Sequence, residues 1–122
     1  MATNAINWFE IPVSNLERAN KFYANILGSK LEPVEAMGMR MAFFPMERGG
    51  VGGSLVQADG YVPTTQGVYV YLNGGEDLNT ILRKVEAAGG KIAQPKTSIG
   101  ENGFIAFFLD TEGNKVGLHS MH

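Results

Sequence analysis

The sequence predicts an α+β protein made of two βαβββ repeats, and three observations carry that prediction. Strand-type alternation and helix-type periodicity follow one another in the same order twice. Met41-Ala42-Phe43-Phe44 in the first half is matched by Ile105-Ala106-Phe107-Phe108 in the second. Each helix-like stretch also ends in glycine one or two residues before a lysine, Lys30 or Lys91.

Taken in order, Ile6 to Val13 alternates, with Phe9, Ile11 and Val13 on one strand face and Trp8, Glu10 and Pro12 on the other. Ser14 and Glu17 have capping-box spacing, which makes Ser14 the expected N-cap of a helix. Leu16, Ala19, Phe22, Tyr23, Ile26 and Leu27 form its apolar stripe, and Gly28 stops it. Strands follow around Lys30 to Glu35, Met39 to Pro45 and Gly52 to Gln57, punctuated by Met37-Gly38 and the stretch Glu47 to Gly50. In the second half Val68, Val70 and Leu72 alternate with Tyr69, Tyr71 and Asn73. Asp77 caps a helix whose buried face is Leu78, Ile81, Leu82, Val85 and Ala88, and Gly89-Gly90 closes it. Strands at Lys91 to Pro95, Gly103 to Leu109 and Lys115 to Ser120 complete the repeat, with a turn at Thr111-Glu112-Gly113-Asn114. The boundaries are about 5–57 for repeat one, 58–66 for a linker and 67–120 for repeat two. Val51-Gly52 is read as the counterpart of Val116-Gly117.

The 122 residues fit one domain with an ordinary core. Ten basic against twelve acidic residues, with no basic stripe, argue against nucleic acid as a partner. No long apolar run points to a membrane, and no signal-peptide pattern opens the chain. Cysteine is absent, which excludes disulfides and cysteine-bound zinc and makes a cytoplasmic location the economical expectation.

One helix covers one face of each four-stranded sheet and leaves the other bare. A bare face carrying Trp8, Tyr69 and Tyr71 is expected to be withdrawn from bulk water. Two such faces, from one chain or from two, can curl into a concave cup, the default place for a small-molecule ligand.

Three stretches resemble a known group. They are Asn7-Trp8-Phe9-Glu10-Ile11-Pro12-Val13 running into Phe22-Tyr23 and Leu27-Gly28, then Gly52-Gly53 with Gly60-Tyr61-Val62-Pro63, and then Phe108-Leu109-Asp110-Thr111-Glu112-Gly113-Asn114 through Gly117-Leu118-His119-Ser120. Over essentially the whole chain they resemble the vicinal oxygen chelate superfamily of glyoxalases, bleomycin-resistance proteins and extradiol dioxygenases, in particular a poorly characterised glyoxalase-related branch. The resemblance implies a cup of paired βαβββ units, commonly in a homodimer, with a divalent metal held by His, Gln or Glu from the first and last strands of each repeat. Those positions fall here on Trp8, Tyr69, Gly117 and either Gly52 or Gly53, so no metal and no other cofactor is expected.

The polar groups left for the cup are Glu10, by parity with Trp8, and His119, by parity with Gly117. As base and acid they would suit a lyase or isomerase. The bland alternatives are a solvated Glu10, or one paired with Arg40 on a neighbouring strand, and a His119 at the surface or a dimer contact. Trp8 is either core filler or ligand wall. Tyr69 and Tyr71 are ligand-stacking rings if they turn inward. The candidates are therefore Glu10 and His119 for catalysis or irregular metal binding, and Trp8, Tyr69, Tyr71 and Arg40 for ligand binding. The primary expectation is a metal-independent small-molecule binding protein. The glycine pairs at 49–50 and 52–53 are not followed by the Lys-Ser/Thr or the helix of a phosphate loop, so they read as turns.

Overall fold

The structure, a computed structural model, describes residues 4–122. Its element order is β1 (Trp8–Pro12), α1 (Leu16–Leu27), β2 (Glu32–Ala36), β3 (Met39–Phe43) and β4 (Gly52–Gln57), then β5 (Tyr71–Asn73), α2 (Leu78–Val85), β6 (Lys91–Ser98), a 3₁₀ turn (Gly100–Asn102), β7 (Phe104–Leu109) and β8 (Lys115–Ser120). The α+β class and the two βαβββ repeats are as expected. The strands form two separate sheets, ordered β1-β4-β3-β2 and β5-β8-β7-β6. In each, the first strand runs parallel to the last, because the intervening helix returns the chain to the same end. Among the described residues no helix is long and apolar enough to cross a membrane.

Register shows how closely the halves correspond. Ala42 pairs with Leu55 and Ala106 with Leu118, and all four are fully buried. Phe43 pairs with Ser54 and Phe107 with Gly117. The N–H of Val13 donates to the Val56 carbonyl at 2.9 Å, as that of Gly74 does to His119 at 2.7 Å. The structural counterpart of Gly117 is therefore Ser54. This corrects the match of Val51-Gly52 to Val116-Gly117 by two residues. The longer loop before β4 absorbs the offset, so likeness of letters misled where strand pairing does not.

The hydrophobic core is continuous across both halves. α1 covers the first sheet and α2 the second, and side chains of α1 reach both: the Tyr23 ring centroid lies 5.5 Å from Phe44 and 6.1 Å from Phe108, and Phe22 lies 5.8 Å from Phe108. Phe22, Tyr23 and Phe108 are fully buried, each contributing on the order of 2–3 kcal/mol by area. Both sheets thus turn their helix-covered faces toward one shared core.

Several bounds differ from expectation: α2 ends at Val85 rather than at Gly89-Gly90, β6 runs on to Ser98 rather than stopping at Pro95, and two further differences have local reasons. β5 is short, because upstream of Tyr71 only the Val70 carbonyl is bonded to β8, accepting from the Gly117 N–H at 2.8 Å. The N-cap of α1 is Asn15, not Ser14. The Asn15 side chain accepts from the Arg18 N–H at 3.0 Å, while the Leu16 N–H donates to Gln57 Oε1 at 2.7 Å. Glu112, from the other repeat, accepts from the N–H groups of Ser14 at 3.0 Å and Asn15 at 2.8 Å. The Ser14 hydroxyl makes no such bond. Asn15→Ala is therefore expected to cost about 1 kcal/mol and Ser14→Ala under about 0.5 kcal/mol, as read by urea denaturation. The reverse order would restore Ser14 as the cap.

Candidate functional site

Strand parity places Trp8 and Glu10 on the bare face of the first sheet, with Ser54, Phe43 and Met41 beside them on β4 and β3. It places Tyr71, Gly117, His119, Lys115, Ile105 and Phe107 on that of the second. The expectation that the ring-bearing faces would be withdrawn from water does not hold within one chain. Trp8 is 40% exposed, Tyr69 42% and Tyr71 47%.

The two faces are built alike, from aromatic rings laid over small residues. In repeat one Trp8 packs edge-on against Phe43 at 5.3 Å, and a Cβ placed on Gly52 would sit 3.1 Å from the Trp8 ring. In repeat two Tyr71 and Tyr69 lean on Phe107 at 5.3 and 5.5 Å. A Cβ on Gly117 would meet the Tyr71 ring at 2.6 Å. Glycine at position 117 is thus what lets the ring lie on the strand.

The polar candidates are not brought together. Glu10 accepts a hydrogen bond from the Tyr61 hydroxyl of the linker at 2.9 Å and lines a small cleft of about 80 Å³ with Lys115, Val68 and Asn114. That bond to the Glu10 carboxylate pushes the Tyr61 phenol above its ordinary pKa. His119 is in a different hollow, of about 810 Å³, with Tyr71, Asn73, Ile99 and Ile105, and its Nε2 lies 2.6 Å from the Asn102 carbonyl oxygen. A third hollow, of about 700 Å³, opens between the halves and is walled by Phe9, Phe44, Gly52, Val68, Tyr69 and Tyr71. Arg40 corrects an expectation: it shares the parity of Ala42 and so leaves the bare face. It pairs with Glu17 of α1 and lies 4.0 Å from Glu35. Tertiary packing gives it a helix-borne partner that strand spacing could not reveal.

The positions that the resemblance assigns to a metal carry Trp8, Tyr69, Gly117 and, by the register above, Ser54 in place of Gly52 or Gly53. The Ser54 hydroxyl is fully buried and has no hydrogen-bond partner among the described residues. An indole, a phenol, a hydroxyl and a hydrogen do not make the nitrogen and carboxylate donor set that a divalent ion requires. Among the described residues no three His, Cys, Asp or Glu side chains gather to replace it. The residues present do not fit the ion.

Two contributors escaped the sequence reading. Lys115 places its ammonium 5.1 Å from the Tyr69 ring centre and 4.9 Å from that of Phe107. The other is the turn at 110–114, read only as a hairpin. It is a brace: Asp110 accepts from the buried Tyr23 hydroxyl at 2.7 Å, Asn114 Nδ2 donates to the Pro12 carbonyl at 2.7 Å, and Glu112 takes the Arg18 guanidinium at 2.7 Å. Burial and the adjacent Asp110 carboxylate hold the Tyr23 phenol well above its ordinary pKa.

With this architecture in place, the comparisons agree. A protein described as a glyoxalase/bleomycin resistance protein from Albidiferax ferrireducens T118 superposes with a TM-score of 0.72 at 16% identity, over 94% of this chain and 97% of that one. The E144Q mutant of glyoxalase I from Zea mays gives 0.73 at 21% identity, over 95% of this chain and 44% of that one. "Putative glyoxylase CFP32" of Mycobacterium bovis is 25% identical over 117 residues, and the chain spans 92% of itself but only 44% of that relative's length. The family model of the Glyoxalase/Bleomycin resistance protein/Dioxygenase superfamily matches residues 5–118, and the chain belongs to that superfamily.

Proposed function

We propose that the chain is a metal-independent small-molecule binding protein whose ligand lies against the aromatic bare faces, each cup being completed by a second copy. The observation that carries this is the exposure of Trp8, Tyr69 and Tyr71 on sheet faces turned away from the chain's own core. Exposed rings grouped on one surface favour a covering partner or ligand. A second copy related by a two-fold axis supplies such a partner, the face of repeat two in one copy covering that of repeat one in the other. Size supports it as well, since hollows of about 700 and 810 Å³ are those of small-molecule sites. The enzymatic reading, a lyase or isomerase using Glu10 and His119, has less support: the two side chains belong to different hollows, and each already has a protein partner.

The test is thermal unfolding against a panel of planar and apolar metabolites, with light scattering on the same samples. The expected result is a dimer whose melting temperature rises with at least one compound. Trp8→Ala should remove that rise while leaving the compound-free melting temperature within a few degrees. A monomer that no compound stabilises would overturn the reading.

A further inference from the structure

We propose that the ligand is a planar monoanion, in chemical class an aromatic carboxylate, held on the bare face of repeat two with its charge at Lys115. This rests on the reading of that face as a ligand surface. Lys115 is partly buried, its ammonium set over the rings of Tyr69 and Phe107, and among the described residues no carboxylate comes within 4.0 Å of it. Glu10 lines the same small cleft but is engaged by the Tyr61 hydroxyl. A partly buried cation set against ring faces, with Glu10 in the same cleft but beyond ion-pair distance, has no carboxylate in direct contact, and a bound carboxylate supplies one by a charge-assisted hydrogen bond.

The surroundings set the shape of that anion. Tyr69 and Tyr71 both pack on Phe107 at interplanar angles of 63° and 58°, an inclined aromatic wall that a flat ring can meet edge-on or against a single ring face. Beyond Tyr71 lies the hollow of about 810 Å³, bordered by Ile105 and His119. With Nε2 of His119 against the Asn102 carbonyl, its Nδ1 is the ring nitrogen left over for a ligand. One fixed cation beside an apolar wall suits one negative charge on a flat body, and a polyanion would leave further charges without partners.

The test is calorimetric titration of the intact protein with 2-naphthoate and with its neutral isostere 2-naphthamide. In the native protein the anion should bind about tenfold tighter than the amide. Lys115→Gln should cut that preference to about twofold or less, and Lys115→Arg should restore it, with melting temperatures unchanged to show that the fold persists. Equal binding of the two probes, or a preference that survives Lys115→Gln, overturns the assignment of an anion while the ligand-face reading stands. Binding of neither probe at millimolar concentration overturns it too, and the metabolite panel then decides separately whether the face binds anything.

Discussion

Asp110→Ala is expected to lower the unfolding free energy by about 4 kcal/mol, the largest loss from any substitution considered for this protein. The Asp110 carboxylate is buried and accepts four hydrogen bonds: from the Tyr23 hydroxyl at 2.7 Å, the Glu112 N–H at 2.8 Å, the Asn114 N–H at 2.9 Å and Asn114 Nδ2 at 3.0 Å. Its removal strands a buried phenol and two backbone donors, each costing roughly 1–3 kcal/mol where water cannot reach. Asp110→Asn keeps some acceptor capacity and should lose less. Urea unfolding reads the effect as a shift of midpoint at constant slope. In a double-mutant cycle with Tyr23→Phe, the two changes should be strongly non-additive. A loss below about 1 kcal/mol would show that the turn does not brace the two repeats.

Glu112→Ala should cost about 2–3 kcal/mol and should flatten the acid limb of the stability curve. The Glu112 side chain is fully enclosed. That burial pushes its pKa upward, but the Arg18 guanidinium, the Asn15 and Ser14 N–H groups and the Thr111 hydroxyl together outweigh it and hold the pKa below the ordinary 4.5. A carboxyl whose folded pKa is depressed contributes its full stabilisation above the unfolded value. It loses that contribution as pH falls through the folded one. The native protein should therefore weaken as pH drops below about 4.5, and the variant should show a shallower slope in that window. Melting temperatures measured from pH 7 to pH 3 decide it: parallel curves would mean that Glu112 is not linked to folding.

Much of this was legible in the letters. Apolar stripes at helical spacing placed α1 and α2 because burial of one face leaves a periodic trace. The matched quartets Met41 to Phe44 and Ile105 to Phe108 marked β3 and β7, each with a fully buried alanine, Ala42 or Ala106. The bare-face membership of Trp8, Glu10 and His119 followed from parity alone. The capping of α1 did not, because Asn15, Gln57 and Glu112 reach it from three separate parts of the chain. Neither did the ion pair of Arg40, whose acidic partner sits on a helix, nor the Lys115 ammonium, whose resting place depends on rings from β7 and from the residues before β5.

By itself, then, the sequence determined the α+β class, the repeat, the core residues of each half and the set of side chains on each bare face. These depend on interactions a few residues apart, or on the strict two-residue period of a strand. Tertiary structure decided which strands lie opposite one another, that Ser54 rather than a neighbouring glycine matches Gly117, and that Tyr23 of α1 joins the two halves by packing against both Phe44 and Phe108. Those outcomes are set by packing between segments about a hundred residues apart, such as Glu112 on Ser14 and Arg18, and no local period records such pairings.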